Sequence, residues 1–518
     1  MLNLIVFTCG AALMGLELVA ARVLAPALGN SIYVWGSVIS MVMLALSLGY
    51  WLGGQIADRW GPVRTLPAVI GGAALATVLA PLIAVPVLPW AGDLGPRLGS
   101  LGASALIFFV PALLIAMVSP LGVRLAAERG MAHIGRSAGG LYSVSTAGSI
   151  VGTLLTAFWL IPLLSLEPLI VWIGVLLAVV SVAALALPGV ASRSDSASGP
   201  GLLRHFRLVT FVLVGATVAV GVSVLVGVSR GPGVNEFGET VLFSQDTQYH
   251  RITVTEDELA RHLRFDRSHQ SAIDLADEYT SHIRYPDYLH LALAAKPDAQ
   301  RVLVLGLGGG ALSKRMWRDY PDMQVDSVEI DPVVVDVAER YFDLPQDDRL
   351  HVFTEDGRRY VQRCEEKYDI VIVDAYYSDS LPYHMTTEEF FGEIKTILEP
   401  DGVIAYNVIS ALEGEQSDLF RSMYRTVGSV FDETWVFGVQ LAEDSDLLRN
   451  RNIVVLATDT EIECKEMLVR IESNLDGAVS VPGFERFGED LYTGMVEMAD
   501  VPVLTDSHAP TDSLIGVN

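Results

Sequence analysis

The chain is poor in cysteine and in lysine, and its first 230 residues hold almost no acid. Its three cysteines, Cys9, Cys364 and Cys464, lie far apart. They form no CxxC pair and no disulfide framework, and no metal is expected. Lysine occurs only at Lys296, Lys314, Lys367, Lys395 and Lys465. Residues 1–230 contain six acidic side chains, among them Glu17, Asp58 and Glu128, beside eleven arginines. The net charge of −26 therefore comes wholly from the part after Arg230. Such a surface repels nucleic acid and anionic headgroups and excludes both as partners of that part. Many carboxylates with few lysines suit a salty medium, where screening removes self-repulsion. A GC-rich codon bias would explain the missing lysine but not the excess acid.

What the first part does have is apolar length. Seven runs, roughly 2–24, 33–56, 66–88, 102–122, 141–163, 166–188 and 208–229, meet the ~20 residues that a helix needs to cross ~30 Å of hydrocarbon. The first run lacks a basic n-region and is followed by more spans, so it reads as a span rather than a cleaved signal. Arginines 59, 64, 124, 129, 136, 193, 204 and 207 fall in alternate loops, and only Arg97 falls in the others. The positive-inside rule then makes a multi-pass cell-membrane protein with a cytoplasmic N-terminus and, after seven spans, an external C-terminal part. An eighth crossing hidden in the proline-rich stretch 66–122 would reverse that side. Glu17 and Arg22 lie in or at the end of the first span. They are either functional or a structural pair.

Residues 189–206 and 230–240 are Pro/Gly/Ser-rich or Gly-rich linkers. They delimit a transmembrane domain over 1–230, a small β-subdomain with linker over 231–290, and an α/β domain over 291–518. In the last, "RVLVLGL", "QVDSVEID", "RLHVFTED", "YDIVIVDAY" and "GVIAYNVI" read as buried strands with helices between them. That order predicts a doubly wound, Rossmann-like parallel sheet with ligands at the carboxyl ends of its strands. Gly306, Gly308 and Gly310 make a tight turn after the first strand. Glu329 ends the second, where an acid can accept ribose hydroxyls. Asp356-Gly357 follows the third, where a carboxylate can take an exocyclic amine. Asp374 follows the fourth. Three acids on one edge repel phosphate but not a cationic nucleoside, which points to an S-adenosyl sulfonium compound. Acids that merely cap the following helices are the alternative reading.

The runs "VLVLGLGGG", "VEIDPVVVDVAERYF", "DRLHVFTEDGRRYV" and "YDIVIVDAY" resemble, in order and spacing, the spermidine synthase (polyamine aminopropyltransferase) family over residues 241–410. The whole chain resembles multi-pass membrane proteins carrying a fused domain of that kind. The resemblance implies a transferase of polyamine biosynthesis. Its co-substrate would be decarboxylated S-adenosylmethionine or S-adenosylmethionine, and no metal is implied. Glu329 would bind the ribose, Asp356 the adenine amine, and Asp374 would take the proton of an attacking amine. The partners would be the lipid bilayer, the donor and an amine, lipid or envelope acceptor, with a homodimer allowed.

The departures lie on the acceptor side. Gly309 stands where the family has aspartate, Tyr377 where it has a second acid, and His250 where it has an early glutamine. The family's acidic segment matches either "DEYTSH" at 277–282 or, without a gap, Arg284-Tyr285-Pro286. His250, Tyr285, Tyr376, Tyr377, Asp379 and His384 are candidates for an acceptor pocket, against a plain polar loop for those after Asp374. A sensor or transporter that only binds an adenosyl-thio ligand, or a methyltransferase, stands beside the aminopropyl reading. The tail "LTDSHAPTDSL", with Asp506 and His508, has no role legible in the sequence.

Overall fold

The computed structural model describes residues 1–29, 32–128, 134–187, 200–228, 233–235, 237–376 and 381–514. Tyr377 and Asp379 of the candidate pocket, and Arg129 and Arg193 of the loops, lie outside the described residues. The chain divides into two compact units, Met1–Gly233 with Gln245–Gln248, and Val234–Ser244 with Tyr249–Asn518.

The first unit is helical. Among the described residues, seven helices are long and apolar enough to cross a membrane. Residues 62–127 form helices Pro62–Asp93, Gly95–Ala116 and Val118–Ala127. The last two run on through Met117, giving one apolar span over Arg97–Ala127. The stretch 66–122 thus supplies two helices long and apolar enough to cross a membrane and no third. Pro67, Pro81, Pro86 and Pro89 lie inside the first of these helices without ending it.

Helix Leu2–Leu28 packs along helix Ile134–Leu155 at backbone contact. A Cβ at Gly148 would stand 2.1 Å from the Phe7 carbonyl oxygen, and one at Gly152 would stand 2.3 Å from that of Ala11. Small residues allow such a close approach between helix backbones. Two polar contacts mark the ends of the bundle. Arg124 pairs with Asp58 at 3.5 Å, which brings the ends of the second and fourth spans together. Arg97 lies over the Tyr33 ring and donates to its hydroxyl at 3.3 Å, at the start of the same two spans. The helix ends that carry Asp58 and Arg124 therefore lie together, away from the ends that carry Tyr33 and Arg97.

The second unit holds two sheets. Strands β1 (Thr240–Asp246), β2 (Arg251–Glu256), β3 (Ala260–Phe265) and β4 (Ser268–Asp274) form a four-stranded sheet in chain order. The larger sheet comprises β5 (Arg301–Leu305), β6 (Gln324–Glu329), β7 (Leu350–Thr354), β8 (Tyr368–Val373), β9 (Leu398–Ser410), β10 (Glu433–Gly438) and β11 (Arg451–Thr458). Its order is β10-β11-β9-β8-β5-β6-β7.

The five strands expected from the sequence are parallel, as expected. The sheet is nevertheless mixed, because β11 and β10 extend it antiparallel. No long helix separates these two strands, so the chain returns without the crossover that parallel pairing requires. Alternate residues feed two cores. Val302, Val304, Ile370 and Ile372 face one side, and Leu303, Leu305, Val371 and Val373 the other. Burial on both faces is why these strands read as continuous apolar runs.

Candidate functional site

The carboxyl ends of β5, β6, β7 and β8 open into a cleft. Register decides what meets there. Leu305 lies beside Val328 and Val373 beside Leu305, so Glu329 at the end of β6 and Asp374 after β8 flank the turn after β5. That turn begins at Gly306, with φ +102, and a Cβ there would come 2.2 Å from the Asp374 carbonyl oxygen. Only glycine lets the turn lie this close to the end of β8.

Glu329 is buried. Its Oε2 accepts the Leu307 N–H at 3.2 Å and its Oε1 the Asp331 N–H at 3.0 Å. Burial holds its carboxyl above the ordinary range, against the pull of these two amides. Each oxygen keeps a further lone pair for a hydroxyl donor. Asp356 caps helix Gly357–Arg363 by accepting the Arg359 N–H at 3.0 Å, and its other oxygen meets His384 Nε2 at 3.1 Å. The bond from His384, with the helix-cap amides, holds this carboxyl below the usual range despite its half-burial.

Asp374 differs from both. Its Oδ2 accepts the Tyr285 hydroxyl at 3.0 Å and its Oδ1 the Asn407 Nδ2 at 2.9 Å. Burial outweighs both donors and pushes the carboxyl up to about 6. A carboxyl poised near neutrality is suited to taking a proton in the operating range. Among the described residues lining the cleft there are three carboxylates, two histidines and no lysine or arginine. The walls between them are apolar, from Leu305, Val328, Ile330 and Met385 among others. Such a site favours a cation with an apolar body.

The structure separates the candidates for the acceptor side. Tyr285 reaches Asp374 and Pro286 lines the cleft beside it, so the ungapped Arg284-Tyr285-Pro286 occupies the place. "DEYTSH" does not, since exposed Asp277 closes its own turn through the Tyr279 N–H and the Thr280 hydroxyl. His384 sits with Asp356 at the other end of the cleft. The Tyr376 ring lines the cleft, but its hydroxyl is engaged, donating to the Asn407 carbonyl at 3.0 Å and accepting the Ile409 N–H at 2.9 Å. His250 is buried, stacked on Phe265 with ring centroids 4.8 Å apart, and lines the cleft near Glu329. Gly309 admits no side chain as packed, because a Cβ would fall 2.8 Å from that of Ser271 and 3.0 Å from Phe342 Cδ1.

Sequence reasoning missed Asn407, Gln270 and Ser271, and it named the tail without finding its role. Asn407 had a signal, being the one amide in the buried run "GVIAYNVI". The tail had none within itself. Asp506 takes the buried Arg358 guanidinium through two contacts at 2.5 and 2.8 Å, and the Thr387 hydroxyl at 2.8 Å. Arg358 also grips Glu393 and the His384 carbonyl. The tail thus braces the end of the cleft where Asp356 and His384 meet.

A family profile described as the spermine/spermidine synthase domain matches residues 282–441. A polyamine aminopropyltransferase of Vibrio vulnificus is 33% identical over 209 residues, covering 39% of this chain and 68% of that protein. A probable polyamine aminopropyl transferase of Bifidobacterium longum is 31% identical over 243 residues, or 44% of this chain and 52% of that protein. An eEF1A lysine and N-terminal methyltransferase homolog of Drosophila melanogaster is 33% identical over 145 residues, 26% of this chain and 22% of that protein.

Proposed function

Because the chain belongs to the spermine/spermidine synthase family, an enzyme family, we propose that its second unit is an aminopropyltransferase-type alkyl transferase, anchored in a membrane by its first. The donor is an S-adenosyl sulfonium compound of the decarboxylated S-adenosylmethionine or S-adenosylmethionine type. Glu329 accepts the ribose hydroxyls, and Asp356, held by His384, takes the adenine amine. The observation that carries the reading is Asp374, a half-buried carboxyl raised to about 6, in a cleft with two further acids and no fixed cation among its described lining.

The acceptor's nitrogen attacks the carbon next to sulfur. The new bond is N–C, and the electron pair of the broken C–S bond stays on sulfur, leaving a neutral thioether nucleoside. The N–H proton passes to Asp374. Positioned proton transfer of this kind contributes about 10²–10⁴ in rate, and alignment supplies more. Tyr285, Pro286 and Tyr376 give the acceptor an aromatic, uncharged wall rather than carboxylates. They suit an amine carried on a larger or apolar body, including a lipid or envelope component, better than a free diamine held at both ends.

Incubation with labelled donor and a panel of amines, lipids and envelope extracts tests the reading. Methylthioadenosine release that D374N lowers by about 10²–10³ supports it. Binding of donor without turnover across the panel would leave a sensor. S-adenosylhomocysteine as the product would make the protein a methyltransferase, the second reading, which the Drosophila relative favours.

The seven apolar helices lie in a bilayer, with the arginine-rich loops and the N-terminus on the cytoplasmic side and the second unit outside. The pairing of Asp58 with Arg124 supports one side for two of these loops. Protease treatment of intact cells with a C-terminal tag tests the side. A protected tag, beside a cleaved surface control, rejects it. The acidic, lysine-poor composition belongs to a protein that works in high salt.

A further inference from the structure

We infer that Asn407 and Asn452 form an amide relay that fixes the orientation of Asp374, and that both are positioning residues for the proton transfer. The inference rests on the function proposed above and concerns the reacting carboxylate itself.

Each oxygen of Asp374 receives one donor, from Tyr285 and from Asn407. An asparagine amide can present either nitrogen or oxygen to a neighbour. Here the carboxylate demands the nitrogen, and the next link adds to it, in which Asn452 Nδ2 donates to Asn407 Oδ1 at 3.1 Å. Were the Asn407 amide turned over, its oxygen would face the Asp374 carboxylate and its nitrogen the Asn452 nitrogen. Both contacts would be repulsive. The ionised Asp374, which can only accept, and the Asn452 donor thus both hold Asn407 with its nitrogen toward Asp374.

The sheet builds the relay from register. Asn407 lies opposite Val454, and Asn452 precedes Val454 by two residues. The two amides are thus diagonal neighbours on one face of the β9–β11 pair. On the other side of β9, Val373 is paired with Tyr406, so the next residue along, Asp374, is level with Asn407. The antiparallel strand β11, which the α/β pattern does not need, supplies the outer link. The backbone of Asn407 is fixed too, since its carbonyl accepts the Tyr376 hydroxyl.

Around Asp374 the other titratable groups are Tyr285 from the helical turn Tyr285–Tyr288, Tyr376 from its own loop and Tyr406 from β9, with Glu329, His250, Asp356 and His384 in the same cleft. Burial holds all three tyrosines above their ordinary range, so they stay neutral near pH 6. Tyr285 thus donates to Asp374 beside Asn407 throughout that range, and no change in its own charge obscures the effect of the amide.

The test is the pH dependence of S-adenosylmethionine binding, measured by calorimetry on the full-length protein in detergent. N407A removes a hydrogen bond that favours the charged carboxylate, and the midpoint of the profile should rise by about one pH unit. N452A leaves Asn407 in place but free to turn, and should move the midpoint the same way by a smaller, resolvable amount. Methylthioadenosine, which is neutral, should bind both variants as it binds wild type, showing that the nucleoside cleft is intact. If N407A loses that binding, N452A, half-exposed on β11, decides alone. A midpoint in N452A equal to that of wild type overturns the relay. Absence of binding of both S-adenosylmethionine and its decarboxylated form in wild type overturns the proposed function instead, so the two failures are distinct.

Discussion

The charge of Asp374 should be readable from ligand binding before any acceptor is known. With its carboxyl near 6 in the free protein, about half is ionised at pH 6 and nearly all at pH 8. A sulfonium placed within ~4–6 Å lowers a carboxyl by at least about one pH unit. The sign follows directly: the cation binds the ionised form better, so affinity rises with pH and levels off above 6. A shift of one unit makes binding about tenfold tighter at pH 8 than at pH 4.5. It also releases about 0.5 proton per ligand near pH 5.5 and almost none at pH 8. Calorimetry in two buffers of different ionisation enthalpy measures both quantities. D374N should flatten the tenfold trend and abolish the release. Methylthioadenosine has no sulfonium and should show neither effect on wild type. An identical pH dependence in wild type and D374N would refute the assignment, because another group would then be titrating.

Three further outcomes follow from the same geometry. Glu329→Gln should weaken S-adenosylmethionine and methylthioadenosine together, by about tenfold or more, since the bonds to the ribose are common to both; loss of one ligand alone, seen by calorimetry, would place Glu329 elsewhere. D506A leaves buried Arg358 with Glu393 as its one remaining carboxylate partner among the described residues, so the melting temperature should fall and binding of plain adenosine should weaken with it; unchanged adenosine affinity would confine the tail to stability. Asp374, raised above its unfolded value, adds stability at low pH that is lost as pH rises through about 6. D374N should therefore stabilise the protein by up to about 3 kcal/mol at pH 8 and not below pH 4 in denaturation scans.

The sequence by itself determined the parts whose signals are local. Apolar runs of helical length marked the seven spans. Strand-length runs followed by glycine or acid marked β5 to β9 and placed Gly306, Glu329, Asp356 and Asp374 at strand ends, because a residue after a buried strand must lie at its carboxyl edge. Partner choice was not local, and only the tertiary structure decided it. Tyr285 reaches Asp374 across 89 residues and Arg358 reaches Asp506 across 148. Neither separation leaves a periodicity to read. His384 is ten residues from Asp374 in the chain, yet the turn before helix Glu388–Ile397 carries it to Asp356. Asn407 and Asn452 became neighbours only when β11 added antiparallel to the edge, in a register set by burial of both its faces. The nucleoside half of the site depends on strand ends and was legible. The half that governs the proton depends on which strands and loops lie side by side, and that is fixed by packing.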